Sequence, residues 1–463
     1  MIHKNFSFIL LLGGVNLIFC ILFSDLQIIF PISIIIWTLF LLLVFSIEIA
    51  LLALVLVRPS IDIIGYLSIP DWPMINLNSS IAVLTIILSF LYIYKNKSII
   101  YDTKTPLVVS ISILLTVYIA FSFTGDAIGA GIQETIRLLS FIVLYFVGWI
   151  YITKPNKFFN IIRVIVYGSI TPLLVAYIEY FSGSGLYTNP GFENRIAGTF
   201  GHPNVLAYYS VIILALIGTV LINKDHNILK IEKNIFQLIG VLYIIVLIIT
   251  FTRGAWLGLI LFVILMSLAQ YPIKTFKIVT LVISSSIILI FSYNFLASPD
   301  ILDLPALDKI PIINRVTGLF NADPSDSVIW RLNMWDDAFN KALESPIIGF
   351  GTGSSETIIE QTRGTYRGSV EVHNDYIKIF LEQGVIGLTI YMILILNVLF
   401  NLYYRYIKIK NVYILTIAVL MTIIYTVSFW DNLLRGTVLM WILFLLLGGV
   451  LHYNQLHNQV KQI

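Results

Sequence analysis

The chain has 463 residues, 58% of them hydrophobic and only 11% charged, with a mean hydropathy of +0.93. A soluble domain carries about 25% charged residues, so these values exclude an ordinary soluble enzyme, and a net charge of +3 is too small for a nucleic-acid binder. The single cysteine, Cys20, excludes an intrachain disulfide and a cysteine-built zinc site; it reads as packing.

Apolar runs able to span roughly 30 Å of hydrocarbon recur along nearly the whole chain. Their long Ile/Leu/Val stretches do not alternate as barrel strands do, so they predict helices. The spans fall near 7–24, 27–57, 79–94, 106–123, 135–152, 158–181, 204–222, 235–250, 254–269, 276–296, 384–404, 411–428 and 436–451. The expected fold is therefore all-α, a polytopic membrane bundle of about 12–14 helices. The first run (Phe6 to Phe23) lacks a small-residue cleavage site and another run follows it at once, so it reads as a retained helix. Glu48, inside an apolar run, is expected to face protein rather than lipid.

The connecting segments alternate in character. Lys95, Lys97, Lys104, Lys154, Lys157, Lys224, Lys230, Lys233, Lys274, Lys277, Lys408 and Lys410 fall in one set, which the positive-inside rule assigns to the cytoplasm. The lysine-poor set (58–78, 124–134, 183–203, 251–253, 297–383 and 429–435) is then extracytoplasmic. Its cations are mostly arginine: Arg58, Arg195, Arg253, Arg315, Arg331, Arg363, Arg367 and Arg435. Whether two or three helices precede residue 58 stays open, and with it the side of the N-terminus. Three parts follow: an N-terminal bundle at 1–296, a large outer loop at 297–383, and C-terminal helices with a short tail at 384–463. The outer loop holds 13 of the 25 acidic residues. Within it, "WRLNMWDDAFNKAL" (330–343) has Trp330, Met334 and Ala338 on one stripe with Trp335, Phe339 and Leu343 beside it. That is an amphipathic helix lying in the interface or capping the bundle.

Several residues in this outward set have the chemistry of a site. Arginine presents a planar fork that holds phosphate bidentately, which lysine does not. Arg195 precedes a helix opening at Pro203, Arg253 sits between two helices with almost no loop, and Arg331 begins the amphipathic helix. Each alone would equally snorkel to lipid headgroups; together they can hold an anion. His202 and Asn204 lie at a helix N-terminus, where backbone N–H groups favour an anion, and would serve equally as a cap. His373 and Asn374 open the last loop-to-helix junction, and an imidazole is the side chain suited to take a proton near neutral pH. Other features carry less. "GFGTG" (349–353) lacks a following Gly-Lys-Ser/Thr and reads as a flexible turn. Asp336 and Asp337 point to different helix faces, Asp62 and Asp71 have no recognisable metal spacing, and Glu134 and Arg137 are placed to neutralise one another.

"RIAGTFGHPNVLAYY", "TFTRGAWLGLI", "RLNMWDDAFNKALESPIIGFGTGS" and "VHNDYIKIFLEQGVIGL" occur in the order that resembles the bacterial O-antigen ligase/polymerase family. The resemblance covers roughly 190–390. It implies a helical bundle akin to the GT-C membrane glycosyltransferases, working with no metal and no cofactor on the outer face of the bacterial cytoplasmic membrane. The implied donor is an undecaprenyl-diphosphate-linked oligosaccharide, and the acceptor a glycan, a lipid or a protein; membrane lipids and other polysaccharide-assembly proteins are further implied partners. By motif, His373 corresponds to the family's essential histidine, and Arg195, Arg253 and Arg331 to its diphosphate-binding arginines. His202, Asn204 and Asn374 are expected around the same substrate. Ile-, Lys- and Asn-rich usage tilts the expectation toward a capsule or teichuronic-acid-like polymerase. A transporter or flippase of lipid-linked sugars is the competing class, but it usually shows repeated halves and short loops, and no repeat is visible here.

Overall fold

The computed structural model describes residues 46–62, 68–69, 72–102, 107–125, 127–152, 155–185, 195–222, 229–270, 327–363 and 370–460. In chain order the helices are α1 (Ile47–Val57), α2 (Leu77–Lys95), α3 (Lys97–Asp102), α4 (Val108–Ser122), α5 (Ile128–Tyr151), α6 (Pro155–Gly168), α7 (Ile170–Ser182), α8 (Pro203–Ile222), α9 (Lys230–Ile249) and α10 (Arg253–Gln270). After the undescribed stretch come α11 (Ser327–Ala342), α12 (Ser355–Arg363), α13 (Asp375–Ile409), α14 (Val412–Val427) and α15 (Thr437–Val460). The only strands among the described residues are a short antiparallel pair, β1 (Ser68–Ile69) and β2 (Trp72–Asn76). The protein is all-α in architecture. Seven described helical segments are long and apolar enough to cross a membrane: 78–95, 128–151, 157–182, 203–222, 230–249, 253–270 and 375–409. Three shorter apolar ones cover 108–122, 412–427 and 437–452. The expected spans at 7–24 and 276–296, most of 27–57, and Asp71, Arg315 and Arg367 lie outside the described residues.

Two departures from simple spans have physical causes. The run 158–181 divides into α6 and α7 around Ser169, because Pro172 has no N–H to return to the preceding turn. The Ser169 carbonyl at the junction accepts both from Leu173 N at 3.1 Å and from the Tyr243 hydroxyl at 2.6 Å. In α13 the chain leaves helical geometry at Gly384 (φ 61°, ψ −162°). The 345–353 turn repairs that break. Phe350 N and Gly351 N donate to the carbonyls of Leu381 and Glu382 at 3.0 and 2.8 Å, and Val385 N donates to Pro346 O at 2.8 Å. Backbone groups in lipid must find such partners within the protein. The "GFGTG" segment, read from sequence as a flexible turn, is therefore a close-packed seam: a Cβ on Gly351 (φ 100°) would lie 2.1 Å from the Thr124 carbonyl.

The core runs along the α5–α15 crossing. Gly148 and Gly448 let these helices touch at backbone distance, since a Cβ at either would fall within about 2 Å of a facing carbonyl. Trp149, Trp441, Tyr145 and Tyr209 are fully buried there and around α8. Ile178, Leu238, Val241, Leu257 and Leu396 are exposed, as lipid-facing side chains of a membrane bundle would be. Glu48 accepts from the Tyr92 hydroxyl at 3.0 Å, so it faces protein as expected. Asp62, considered from sequence for a divalent ion, is instead paired with buried Arg58 at 2.7 Å.

Candidate functional site

One end of the bundle gathers four segments distant in sequence: the 195–202 loop, the α9–α10 turn, the 370–374 segment and the α14–α15 connection. Each is held there by a separate device. The 195–202 loop is anchored by Glu179 of α7, whose Oε2 accepts from the backbone N–H of Ala197 and Gly198 at 2.9 and 2.6 Å. Thr199 Oγ1 also donates to Pro59 O at 2.5 Å. Pro203 then opens α8, its fixed φ already suited to a helix start. The 370–374 segment is fixed by Trp335 Nε1 donating to Val372 O at 3.0 Å. Asn374 caps α13, its Oδ1 accepting from Tyr376 N and Ile377 N, both at 3.0 Å. Asp375 N donates to Ser428 O at 2.9 Å, which ties α13 to the end of α14.

These supports bring three of the sequence-expected residues, Arg195, Asn204 and His373, into one hydrogen-bonded chain through Asp431. Arg195 reaches across to the α9–α10 turn, donating from Nε to Thr250 O at 2.9 Å and from Nη2 to Thr252 Oγ1 at 2.9 Å. The same Nη2 donates to Asn204 Oδ1 at 3.1 Å. Asn204 Nδ2 in turn donates to Asp431 Oδ2 at 2.6 Å, and Asp431 Oδ1 lies 3.3 Å from His373 Nδ1. Arg253 opens α10 directly after Thr252, one of the acceptors of Arg195. Arg331 acts electrostatically on Asp431, and its Nε is buried with no hydrogen-bond partner among the described residues. His202 Nδ1 accepts from Asn204 N at 3.0 Å, so this imidazole does cap α8 as well as border the site.

The electrostatics divide the two histidines. Burial pushes His202 down to about 4, with Arg195 and His373 adding to the effect and Asp431 opposing it, so His202 is neutral at ordinary pH. Burial alone would raise Asp431. The hydrogen bond and charge of His373, with Arg331 and His202, outweigh it and hold the carboxyl well below the usual carboxylate range. An ionised Asp431 facing His373 Nδ1 favours the tautomer with the proton on Nδ1, which leaves the Nε2 lone pair as the basic position. His373 itself has φ 53°, a left-handed backbone that non-glycine residues rarely hold away from sites that need it.

Asp431 is the residue that sequence reading passed over, and it joins Asn204 to His373. Its signal was modest: one acid in the seven-residue connection 429–435, between two apolar helices. Beside it, Asn432 Nδ2 donates to Glu371 Oε2 at 3.2 Å, and Arg435 pairs with both Glu371 (2.5 Å) and Glu356. Burial opposes ionisation of Glu371, but Arg435 and His373 hold it below its ordinary range. Among the described residues no three His, Cys, Asp or Glu side chains gather as a metal-ligand set; Asp337 of the "DD" pair binds Arg363 at 3.0 Å.

A second polar cluster lies one helical turn into α13. Lys378 Nζ is 3.0 Å from Glu134 Oε1, Arg137 Nη1 is 2.6 Å from Glu134 Oε2, and Glu382 Oε1 accepts from Ser355 Oγ at 2.6 Å. Glu134 and Arg137 thus pair as the sequence suggested, with Lys378 as a third member. A cavity of about 40 Å³ adjoins them, bordered by Tyr118, Tyr391 and Tyr425.

Residues 238–392 match the family model described as O-Antigen ligase. That stretch contains Arg253, Arg331, His373 and Asn374; Arg195, His202, Asn204 and Asp431 lie on either side of it. A search of curated proteins found no match to the chain.

Proposed function

We propose that this membrane protein, whose residues 238–392 match the O-antigen ligase model, transfers or polymerises glycan from an undecaprenyl-diphosphate carrier on the outer face of the cytoplasmic membrane. The observation that carries this reading is the chain Arg195–Asn204–Asp431–His373, which puts a carboxylate-oriented imidazole beside anion-binding side chains at one end of a membrane bundle. The outer face follows from the lysine asymmetry of the loops: the site segments all belong to the lysine-poor set.

The donor contains its own activation, because its diphosphate is the leaving group. The acceptor hydroxyl attacks the anomeric carbon while the C1–O bond to the diphosphate breaks. His373 Nε2 takes the hydroxyl proton, a contribution of about 10²–10⁴-fold. Asp431 holds the ring and stabilises the imidazolium that forms. The released diphosphate gathers negative charge, which Arg195, Arg253 and Arg331 stabilise; removing one such contact costs about 2.7–4 kcal/mol of barrier. Asn204 sets the distance between the cationic and basic halves, while His202 and Asn374 terminate the two helices that frame the site. A single displacement inverts the anomeric centre. The carrier's tail stays in the bilayer throughout, which is why the enzyme is a membrane bundle.

The test is reconstitution with fluorescent lipid-diphosphate oligosaccharide, beside His373→Ala and Arg253→Ala, with products resolved on a gel. A ladder from the wild type that both variants lose supports a polymerase working through this site. One shifted band that needs an added lipid or protein supports a ligase or oligosaccharyltransferase. Wild-type product that persists in His373→Ala removes the proposed base.

A further inference from the structure

The chain has eight tryptophans, and three of them converge on the 371–373 segment and its neighbour Asp431. Trp330 sets its ring edge-on to His373, with centroids 5.5 Å apart and planes at 69°. Trp335 is fastened to Val372 O through its indole N–H and lies 5.5 Å from Trp430. Trp430 immediately precedes Asp431 and is 52% exposed. Phe429, 48% exposed, stacks on Tyr376 at 4.0 Å. Large aromatic rings are thus held rigidly by protein on one side and left open on the other, next to the proposed base. Hydrogen-bonding groups border them: Glu371 and Asn432 are joined to each other beside Trp430.

We infer that Trp430, backed by Trp335 and flanked by Glu371 and Asn432, forms a sugar-binding subsite for the acceptor glycan. The assignment rests on the glycosyl-transfer reading and adds where the acceptor sits. A pyranose has an apolar C–H face and hydroxyls around its edge. An open indole face suits the first, while a carboxylate and an amide beside it suit the second. Tryptophans that only anchor a membrane protein are spread around its circumference at headgroup depth, whereas Trp330 packs on one imidazole and Trp335 joins the adjacent Val372 to Trp430. The acceptor must also lie on the His373 side of the site, because its hydroxyl hands its proton to that ring.

Binding is measured on His373→Ala protein in nanodiscs, where no turnover consumes the ligand. The probe is a pool of end-labelled oligosaccharides released by mild acid from the host cell's surface polysaccharide and lipid-linked precursors, followed by fluorescence anisotropy. Trp430→Ala is expected to weaken binding about tenfold, and Trp430→Phe, which keeps a ring, by less. The unfolding midpoint of each variant shows whether the fold is retained. Equal binding by Trp430→Ala and its parent overturns the subsite, as does a parent that binds none of the pool. Quenching of Trp430 by brominated lipids would then assign the ring to the membrane interface instead. If His373→Ala transfers glycan at the wild-type rate while binding still depends on Trp430, the base assignment falls and the subsite stands.

Discussion

Two buried polar clusters lie within about two turns of each other at the head of α13, and they are built on opposite plans. In the Glu134–Arg137–Lys378 cluster each charge is answered at close range, with Lys378 and Arg137 on the two oxygens of one carboxylate. In the Arg195–Asn204–Asp431–His373 cluster the chain is strung end to end, and one carboxylate serves a neutral amide and an imidazole rather than a matching cation. The first cluster joins α5 to α13, and Glu382 beside it joins the start of α12 through Ser355. The second runs from a guanidinium to an imidazole at one end of the bundle. Closed neutralisation holds helices together; a directional chain fixes the orientation of the group at its end. A count of buried charges would not separate the two.

The comparison is sharpened by substituting in each cluster. The largest effect belongs to His373→Ala, which should slow transfer by about 10²–10⁴-fold while leaving the unfolding midpoint near that of the wild type. Arg195→Lys should follow at about 10²-fold or more, since an ammonium cannot reproduce three donor contacts from a planar fork; single-turnover rates at saturating donor would show it. Lys378→Met is expected to act on stability instead, by about 3–5 kcal/mol, because Glu134 and Glu382 lose a buried partner. Thermal unfolding should register that loss, and the Glu134→Gln/Lys378→Met pair should recover part of it. A smaller, pH-dependent effect comes from His202. Its folded pKa lies below the ordinary histidine value, so its contribution to stability is full above about 6.5 and is lost as pH falls toward about 4. His202→Gln should flatten unfolding midpoints across that window. At the bottom of the scale, Lys341→Ala breaks the surface pair with Glu344 and a cation–π contact with Phe350, and should change stability by about 1 kcal/mol.

The membrane class and ten of the spans could be read from hydropathy because lipid demands long apolar helices with few exceptions. Gly384 was visible as a residue, yet its consequence depended on the 345–353 turn, which arrives from elsewhere in the chain. The cations and both site histidines were legible because charge is rare in such a sequence and its sidedness is patterned. Asp431 was not, since a single acid in a short connection has no periodicity and no fixed spacing to Asn204 or His373. Only the fold shows that 227 residues of separation close into a 2.6 Å hydrogen bond. The tryptophan cluster was hidden for the same reason: Trp330 and Trp335 lie in α11, and Trp430 follows three helices later.

The central claim, that His373 works as a base oriented by Asp431, is tested most directly by a double-mutant cycle on single-turnover transfer in proteoliposomes. The four proteins are wild type, His373→Ala, Asp431→Asn and the pair. If Asp431 acts through the imidazole, Asp431→Asn slows the wild type markedly but adds little to His373→Ala. Losses that multiply independently, or a His373→Ala enzyme that transfers glycan near the wild-type rate, would contradict the account.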